Sequence, residues 1–367
     1  MKFSNKHVFI ISNRDIFFNL FADALVQKCN VSPNDIIAII YNFGGNSSLV
    51  KHPQFNYIEY EKVVIKEVSS ALTITSISLN SKSAEIVNVI SEYHNNFWNS
   101  FYVLITDDEI DRWRKNHNKE NRLLVNRSQE IDENVLLVLN RIENFIVTEK
   151  YFKNILESIL SRKNFKIVNA SFIFDILPIS QSELLKGALS DLNYQKQNRI
   201  LLGSKGFSLL DVFNFIRKNY KALMNLQVVL FPGSLNRRII IDLYLIFLKF
   251  INKKPLDFVY LGKLNSITYN VMIASCNYFV LQDRGGASTA RLYVKWGSGR
   301  LLIKKGSPNE RYFSEVYNID CLDWESKSLS FLNDEIENRI IFENSLKVKE
   351  EEKRSIRILH ELYSSIN

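Results

Sequence analysis

YFVLQDRGGASTARLYVKWGSGRLLIKKGSPNE, residues 278–310, decides how the chain is read. Tyr278–Leu281 is a short continuous apolar run and Arg300–Lys304, with LLI at its centre, reads as another strand, while Ser288–Trp296 between them places apolar residues at helical spacing. Strand, helix and strand in so short a stretch make a parallel unit, because two strands running the same way need a crossover to connect them. Residues 281–299 hold four of the chain's twelve glycines, two of them side by side where strand gives way to helix. A sharp turn explains one glycine. A pair also lets backbone N–H groups come close to a ligand.

The same rhythm extends upstream. Arg199–Leu202 runs into GSKG and the helix Leu209–Leu223 follows; Gln227–Phe231 runs into PGS before a strongly apolar helix, Arg237–Ile251. Phe258–Leu261 runs into GK, and the helix Ser266–Ser275 leads back to Tyr278. Five consecutive strands thus end in glycine plus a polar residue, and nine of the twelve glycines lie between Gly203 and Gly306. In an open parallel sheet ligands bind outside the carboxyl ends of the strands, so this edge is the expected ligand edge.

The amino half alternates in the same way. His7–Ser12, Asp35–Tyr41, Phe55–Tyr60 and Phe101–Ile105 read as strands, and Asp15–Gln27 and Ser83–Trp98 as helices. Val135–Arg162 reads as mostly helical with a break inside, and Phe165–Val168 as one more strand. Continuous apolar strands alternating with helices imply an α/β fold with parallel sheets covered on both faces. The polar stretch Asp191–Asn198 is the expected boundary, dividing a Rossmann-like domain at 1–190 from a second at 199–330. Residues 331–367 are expected to form a terminal helix, with Ile356, Leu359 and Tyr363 on one stripe, that packs back toward the first domain.

The totals agree with two domains. The chain has 367 residues, 46% hydrophobic, which is long for one core and ample for two. Its 47 Lys and Arg against 39 Asp and Glu leave a net charge of +8, suited to a phosphate-bearing partner without choosing among nucleotide, lipid and nucleic acid. No nucleic-acid-reading module is visible. Cys29, Cys276 and Cys321 are scattered, without the spacing of a structural zinc site or a disulfide framework. No apolar stretch approaches the ~20 residues of a membrane span, and HVFII near the N-terminus is too short for a signal-peptide core. The expectation is a cytoplasmic protein, with peripheral contact at the inner face of the cell membrane left open.

Two phosphate motifs fail: GxGxxG is absent, and GSKGFS is not a P-loop. What remains is Arg284-Gly285-Gly286-Ala287-Ser288-Thr289 at an expected helix start. A helix N-terminus offers unpaired N–H groups and partial positive charge. Gly285 and Gly286 bare the backbone, Ser288 and Thr289 bring hydroxyls, and Arg284 brings countercharge. On the same edge, Gly203, Ser204 and Lys205, then Pro232, Gly233 and Ser234, then Gly262 and Lys263 form further lips of the nucleotide site. Ser307, Asn309 and Glu310 follow the fifth strand, where a carboxylate suits ribose or sugar hydroxyls.

The stretch ILLGSKG…VVLFPGS…SITYNVMIASCNYFVLQDRGGASTARLYVKWGSGRLLIKKGSPNERYF, spanning about residues 199–315, resembles a family of bacterial transferases. Its members move 4-acetamido-4,6-dideoxygalactose onto lipid-linked intermediates of enterobacterial common antigen. In that family a strand ending LVGNSG, a strand ending in a proline-glycine turn and the motif YFIF-x-R-x-x-G occur in the same order. The amino half shares only its opening strand and the FFNLFADAL helix. The resemblance implies a GT-B glycosyltransferase: two Rossmann-like domains with parallel sheets facing across a cleft, nucleotide sugar in the second and acceptor on the first. It also implies inversion at the anomeric carbon without a metal or other cofactor, with a UDP- or dTDP-linked sugar as donor. The product would belong to a surface polysaccharide such as lipopolysaccharide or capsule.

Glycosyl transfer then needs stabilisation of the departing nucleoside diphosphate, assigned to Arg284, the Gly285–Thr289 amides and Lys205. It also needs a base for the acceptor hydroxyl, on an amino-domain loop. Asp15, after the first strand, is the leading candidate, followed by Asp107 and Asp108 after FYVLI; all three also suit helix capping. Arg112-Trp113-Arg114-Lys115, with Lys119 and Arg122, forms a basic cluster for a lipid-linked acceptor's phosphate or an anionic headgroup, or else a solvated helix face. Two alternatives stay open: a nucleotide-sugar epimerase of the same architecture, and a non-catalytic partner-binding protein that keeps the fold.

Overall fold

The computed structural model describes residues 3–106, 108–117, 123–170, 185, 187, 197–203, 207–262, 264–325 and 334–364, with only the backbone of Asp108, Gln197, Ser266 and Asp334. The chain forms two compact units, Met1–Phe174 with Glu352–Asn367, and Asp175–Glu351. Most of the expected boundary, 191–196, lies outside the described residues.

The first unit is built on seven parallel strands: β1 His7–Ser12, β2 Ile36–Tyr41, β3 Asn56–Glu59, β4 Thr73–Ile77, β5 Phe101–Leu104, β6 Asn144–Val147 and β7 Lys166–Asn169. Their order across the sheet is β3-β2-β1-β4-β5-β6-β7. The register sets His7 of β1 beside Ile36 on one side and Thr73 on the other. All six residues of β2 are buried, which requires cover on both faces and explains its unbroken IIAIIY run. Two strands escape a sequence reading. β4 is completely buried yet reads as polar, because Thr73, Thr75 and Ser76 supply three of its five residues. The break inside Val135–Arg162 is strand β6, between the helices Glu133–Arg141 and Glu149–Leu160. The helix expected over Ser83–Trp98 is Ser81–Ser91, with a separate single turn at Phe97–Ser100.

The second unit holds six parallel strands: β8 Gln197–Leu202, β9 Gln227–Leu230, β10 Asp257–Tyr260, β11 Cys276–Leu281, β12 Arg300–Ile303 and the two-residue β13 Leu322–Asp323. They are ordered β10-β9-β8-β11-β12-β13. One core lies between this sheet and the helices Leu209–Leu223 and Leu235–Asn252, gathered around Phe207, Phe215 and Trp324.

A single helix, Asp334–Ser364, contributes to both units. In the second unit its Glu337 accepts from the fully buried guanidinium of Arg300 at 3.2 Å. In the first, Leu359 and Tyr363 are buried, and the Tyr363 hydroxyl lies 3.1 Å from the Thr75 hydroxyl. His360 and Ser364 reach the Cys29 carbonyl at 2.7 and 3.0 Å, serving an orphan acceptor at the end of the helix Phe18–Cys29. Lys28 of that helix is ion-paired with Glu352.

Candidate active site

In both sheets the chain winds one way from the central strand and then reverses. The reversal falls between β1 and β4 in the first unit, and between β8 and β11 in the second. Neighbouring loops part at such a point and leave a crevice at the carboxyl edge.

The first unit has a cleft of ≈ 590 Å³ at this place. Ser12, Arg14 and Asp15 line it after β1, Ser78 and Asn80 after β4, and Arg112 and Lys115 from the helix Asp108–Lys115. Asp15 is half-buried, and its Oδ1 accepts from the N–H groups of Phe17 at 2.9 Å and Phe18 at 2.6 Å. Burial pushes its carboxyl up to about 6, against the downward pull of those two bonds. It is therefore a helix-terminal acceptor and a cleft residue at once, with a carboxyl that changes charge near neutral pH. The cleft wall carries three cations, Arg14, Arg112 and Lys115, and three acids, Asp15, Asp111 and Glu130; the Arg14 guanidinium lies against Gly45, and Arg112 is ion-paired with Glu130. The loop after β2 is tied to the loop after β1. The Asn13 side chain accepts from the Phe43 N–H at 3.0 Å, and the Ser47 hydroxyl donates to the Asn13 carbonyl at 2.9 Å. Tyr41 stays a neutral phenol, pushed up to about 12 mainly by burial, and receives the Asn80 amide at 2.8 Å.

Asp107 and the side chain of Asp108 lie outside the described residues. The carboxylate described at that strand end is Glu109, fully buried; it accepts from the Thr106 N–H at 3.0 Å and from the Thr106 hydroxyl at 2.6 Å. Burial raises its carboxyl, and the Thr106 bonds oppose the rise. The signal was in the sequence: TDDE has the Thr-x-x-Glu spacing of a capping box. The basic cluster divides by helical geometry. Trp113 is buried in the core, so no aromatic joins the patch, while Arg112 and Lys115, three residues apart, both face the cleft. Lys119 and Arg122 lie outside the described residues.

In the second unit the turn after β11 is held from the next one. Asn309, buried, donates through Nδ2 to the Gln282 carbonyl at 2.6 Å and the Gly285 carbonyl at 2.9 Å, and its backbone N–H reaches the Asp283 carbonyl at 3.1 Å. Asn309 thus shapes the glycine turn from beneath. Arg284 and Gly285 are exposed on it. Gly286, left-handed at φ 75°, is the N-cap of the helix Ala287–Lys295 and brings no side-chain acceptor to the first turn. Ser288 is half-buried, and Thr289 is buried with its hydroxyl bonded to that of Tyr269. Glu310 receives the Gly306 N–H at 3.4 Å, and Ser307 caps the helix Pro308–Tyr317.

Gly203 ends β8 beside that turn, its N–H bonded to the Val280 carbonyl at 2.7 Å. Its φ is +56°, and a Cβ there would come within 2.7 Å of the Phe207 side chain, itself fully buried. Gly203→Ala is expected to cost about 1–3 kcal/mol, read by equilibrium denaturation; an unchanged midpoint would refute the constraint. Gly233 and Ser234 are exposed after β9, Ser234 accepting from the Arg237 N–H at 3.3 Å as a helix cap. Pro232 is half-buried, and Gly262 is exposed after β10. Ser204, Lys205 and Lys263 lie outside the described residues. Among the described residues no group of three His, Cys, Asp or Glu side chains is placed to hold a metal ion.

No family model matches the chain, and no curated protein matches its sequence. Solved structures do match it in three dimensions. HepE of Anabaena, in complex with UDP and glucose, superimposes with a TM-score of 0.57 at 10% identity, covering 98% of this chain and 99% of that one. Sucrose-phosphate synthase from Thermosynechococcus elongatus does so with a TM-score of 0.56 at 12% identity, covering 98% and 99%. The UDP-forming alpha,alpha-trehalose-phosphate synthase from Burkholderia vietnamiensis gives 0.57 at 8% identity, covering 99% and 100%. The fold is GT-B. In this GT-B chain each unit, counted from its own first strand, begins with the order 3-2-1-4-5-6. The GT-B frame puts the Asp15 cleft and the Asn309-held turn each at the switch point of its own sheet.

Proposed function

We propose that this chain is a glycosyltransferase that moves a sugar from a nucleotide-diphosphate donor, UDP- or dTDP-linked, to a hydroxyl of a glycan or lipid-linked acceptor. The observation that carries the reading is the glycine turn Gln282–Gly286, clamped by Asn309 over an uncapped helix N-terminus at the switch point of the second unit. Such a turn supplies fixed N–H dipoles to a diphosphate at no cost of reorganisation. HepE of Anabaena has been solved with UDP and with UDP-glucose, which supports a uridine donor here.

In this reading the diphosphate rests on the first turn of the helix Ala287–Lys295, with Arg284 as countercharge. The acceptor hydroxyl binds in the first unit's cleft, where Asp15 takes its proton. The freed oxygen bonds to the anomeric carbon from the face opposite the leaving group. The bond from that carbon to the diphosphate oxygen breaks, and its electron pair leaves with the nucleoside diphosphate. The product is inverted, and the stabilising charges are amides and guanidinium rather than a metal. Arg14 and Lys115 supply positive charge in this cleft for an acceptor carrying phosphate, as a lipid-linked saccharide does, while Arg112 is already paired with Glu130. The finer setting, bacterial surface polysaccharide synthesis on the cytoplasmic side, rests on the resemblance of residues 199–315.

A thermal-shift panel of UDP, dTDP, GDP, CMP and ADP tests the donor site. One nucleoside diphosphate is expected to raise the melting temperature, by an amount equivalent to about 2.7 kcal/mol at a hundredfold excess over Kd. Arg284→Ala is expected to abolish most of the response. No response to any diphosphate, or a response to CMP alone, would refute the reading.

A further inference from the structure

The helix Leu235–Asn252 of the second unit is apolar on two opposite sides, and only one of them is covered. Ile241 and Leu248 are buried on the inner side, where the core also holds Tyr244 and Leu245. On the outer side Leu243, Ile246, Phe247 and Phe250 follow i, i+3, i+4, i+7 and are 62, 64, 57 and 87% exposed, with Leu235 at 70% and Ile251 at 57%. Large apolar side chains left bare along one helix face mark an interaction site rather than an ordinary solvated surface. It is a convex ridge, not a groove.

Charge gathers at the same place. Residues 209–254, the strand β9 with the helices on either side of it, contain eight Lys and Arg against two Asp, so six of the chain's eight net positive charges sit in this one segment. Lys249, Lys253 and Lys254 are exposed at the end of the ridge, and Arg217 lies near Tyr244 at its border. Of the two acids, Asp242 is held by the Tyr260 hydroxyl at 2.6 Å and by Arg238 at 3.7 Å, and Asp211 accepts from Ser208. The three lysines at one end of the ridge favour an anionic partner over a neutral or cationic one. An anionic surface would neutralise them. A ridge also enters a fluid surface more readily than a rigid protein face.

We infer that the helix Leu235–Asn252 docks this protein on an anionic lipid bilayer, lying in the interface with Leu243, Phe247 and Phe250 among the acyl chains and Lys249, Lys253 and Lys254 at the headgroups. No helix among the described residues is long and apolar enough to cross a membrane, so the contact is peripheral. The patch expected from sequence at Arg112–Lys115 does not take this part, since its tryptophan is internal and two of its cations face the cleft. The inference does not rest on the glycosyltransferase reading, because docking is measured without donor or acceptor.

The test is co-sedimentation of the full chain with phosphatidylcholine vesicles, with and without phosphatidylglycerol. The wild type is expected to sediment with the anionic vesicles, less so at high salt. Leu243→Ser/Phe247→Ser/Phe250→Ser and Lys249→Glu/Lys253→Glu/Lys254→Glu are each expected to weaken that binding at least tenfold. Nucleotide thermal shifts should stay at wild-type values in both variants, and so should the melting temperature of the serine variant, whose three side chains are exposed. The lysine variant puts negative charge at the helix C-terminus and is expected to melt somewhat lower while staying folded. Should the serine variant misfold, the lysine variant carries the test alone. Wild-type chain left in the supernatant, or binding that both variants retain, would overturn the inference. So would a dimer, seen by light scattering, that the serine variant dissociates, because a second copy would then be the occupant; binding of the ridge to an acidic protein but not to vesicles counts against it equally.

Discussion

Asp15→Asn is expected to lower the turnover number by about 10²–10⁴-fold while making the protein more stable at neutral pH. Both effects come from one environment. Burial raises the Asp15 carboxyl to about 6, so the folded chain holds that proton more tightly than the unfolded chain does. Below pH 4 the group is protonated in both states and costs nothing. As pH rises through 6 the folded state must carry a poorly solvated charge, and stability falls. Asparagine removes that charge and keeps an oxygen for the Phe17 and Phe18 N–H groups. After discounting for the solvent that reaches a half-buried group, the gain above pH 6 is about 1–2 kcal/mol, and it vanishes near pH 4. For the wild type, kcat/KM should rise with pH to a plateau above about 6, and the variant should lose that limb. A merely structural Asp15 would leave the rate and its pH profile unmoved, and a variant that keeps wild-type turnover would remove Asp15 from the mechanism.

Asn309→Leu is expected to raise the Kd for the nucleoside diphosphate about 10²-fold. The side chain touches no ligand in this account. It acts through the turn, because its amide is bonded to the carbonyls of Gln282 and Gly285. Each lost bond of this kind removes about 1–1.5 kcal/mol, and two are lost together. Without them the glycine pair relaxes among the many conformations open to it, and the N–H groups over the helix Ala287–Lys295 lose their aim. Isothermal titration on folded protein measures the effect. Ser314→Ala, on the same helix, removes only an exposed bond to the Arg311 carbonyl and should leave Kd unchanged. Equal affinities for wild type and Asn309→Leu would show that the turn is held by other means.

Local patterning made most of the fold legible. The apolar runs inside His7–Ser12, Ile36–Tyr41 and Arg300–Ile303, VFII, IIAIIY and LLI, are what strands covered on both faces commonly show. Strand β4 was hidden because threonine and serine fill a buried strand as readily as valine once their hydroxyls find partners: Thr75 meets Tyr363, and Ser76 meets the Ser78 carbonyl. Strand β6 was hidden because four residues between two helices are too few to show a period.

The site divides along the same line. The position of Asp15 after the first strand and of Gly285-Gly286 after the fourth of the carboxyl series was written in the order of residues. That Asp15 is desolvated, that Asn309 reaches from another loop to hold the glycine turn, and that Arg112 and Lys115 leave Trp113 behind to face a cleft, was not. The helix Leu235–Asn252 shows the difference most plainly: its apolar character is a property of its residues, but which of its two apolar sides stays bare depends on where the sheet lies. Sequence alone determined what each segment prefers to become, since propensity, periodicity and turn chemistry act over a few residues. Only the tertiary structure decided which strands are neighbours, where the winding reverses and which groups lose their water, because those depend on contacts between residues far apart in the chain.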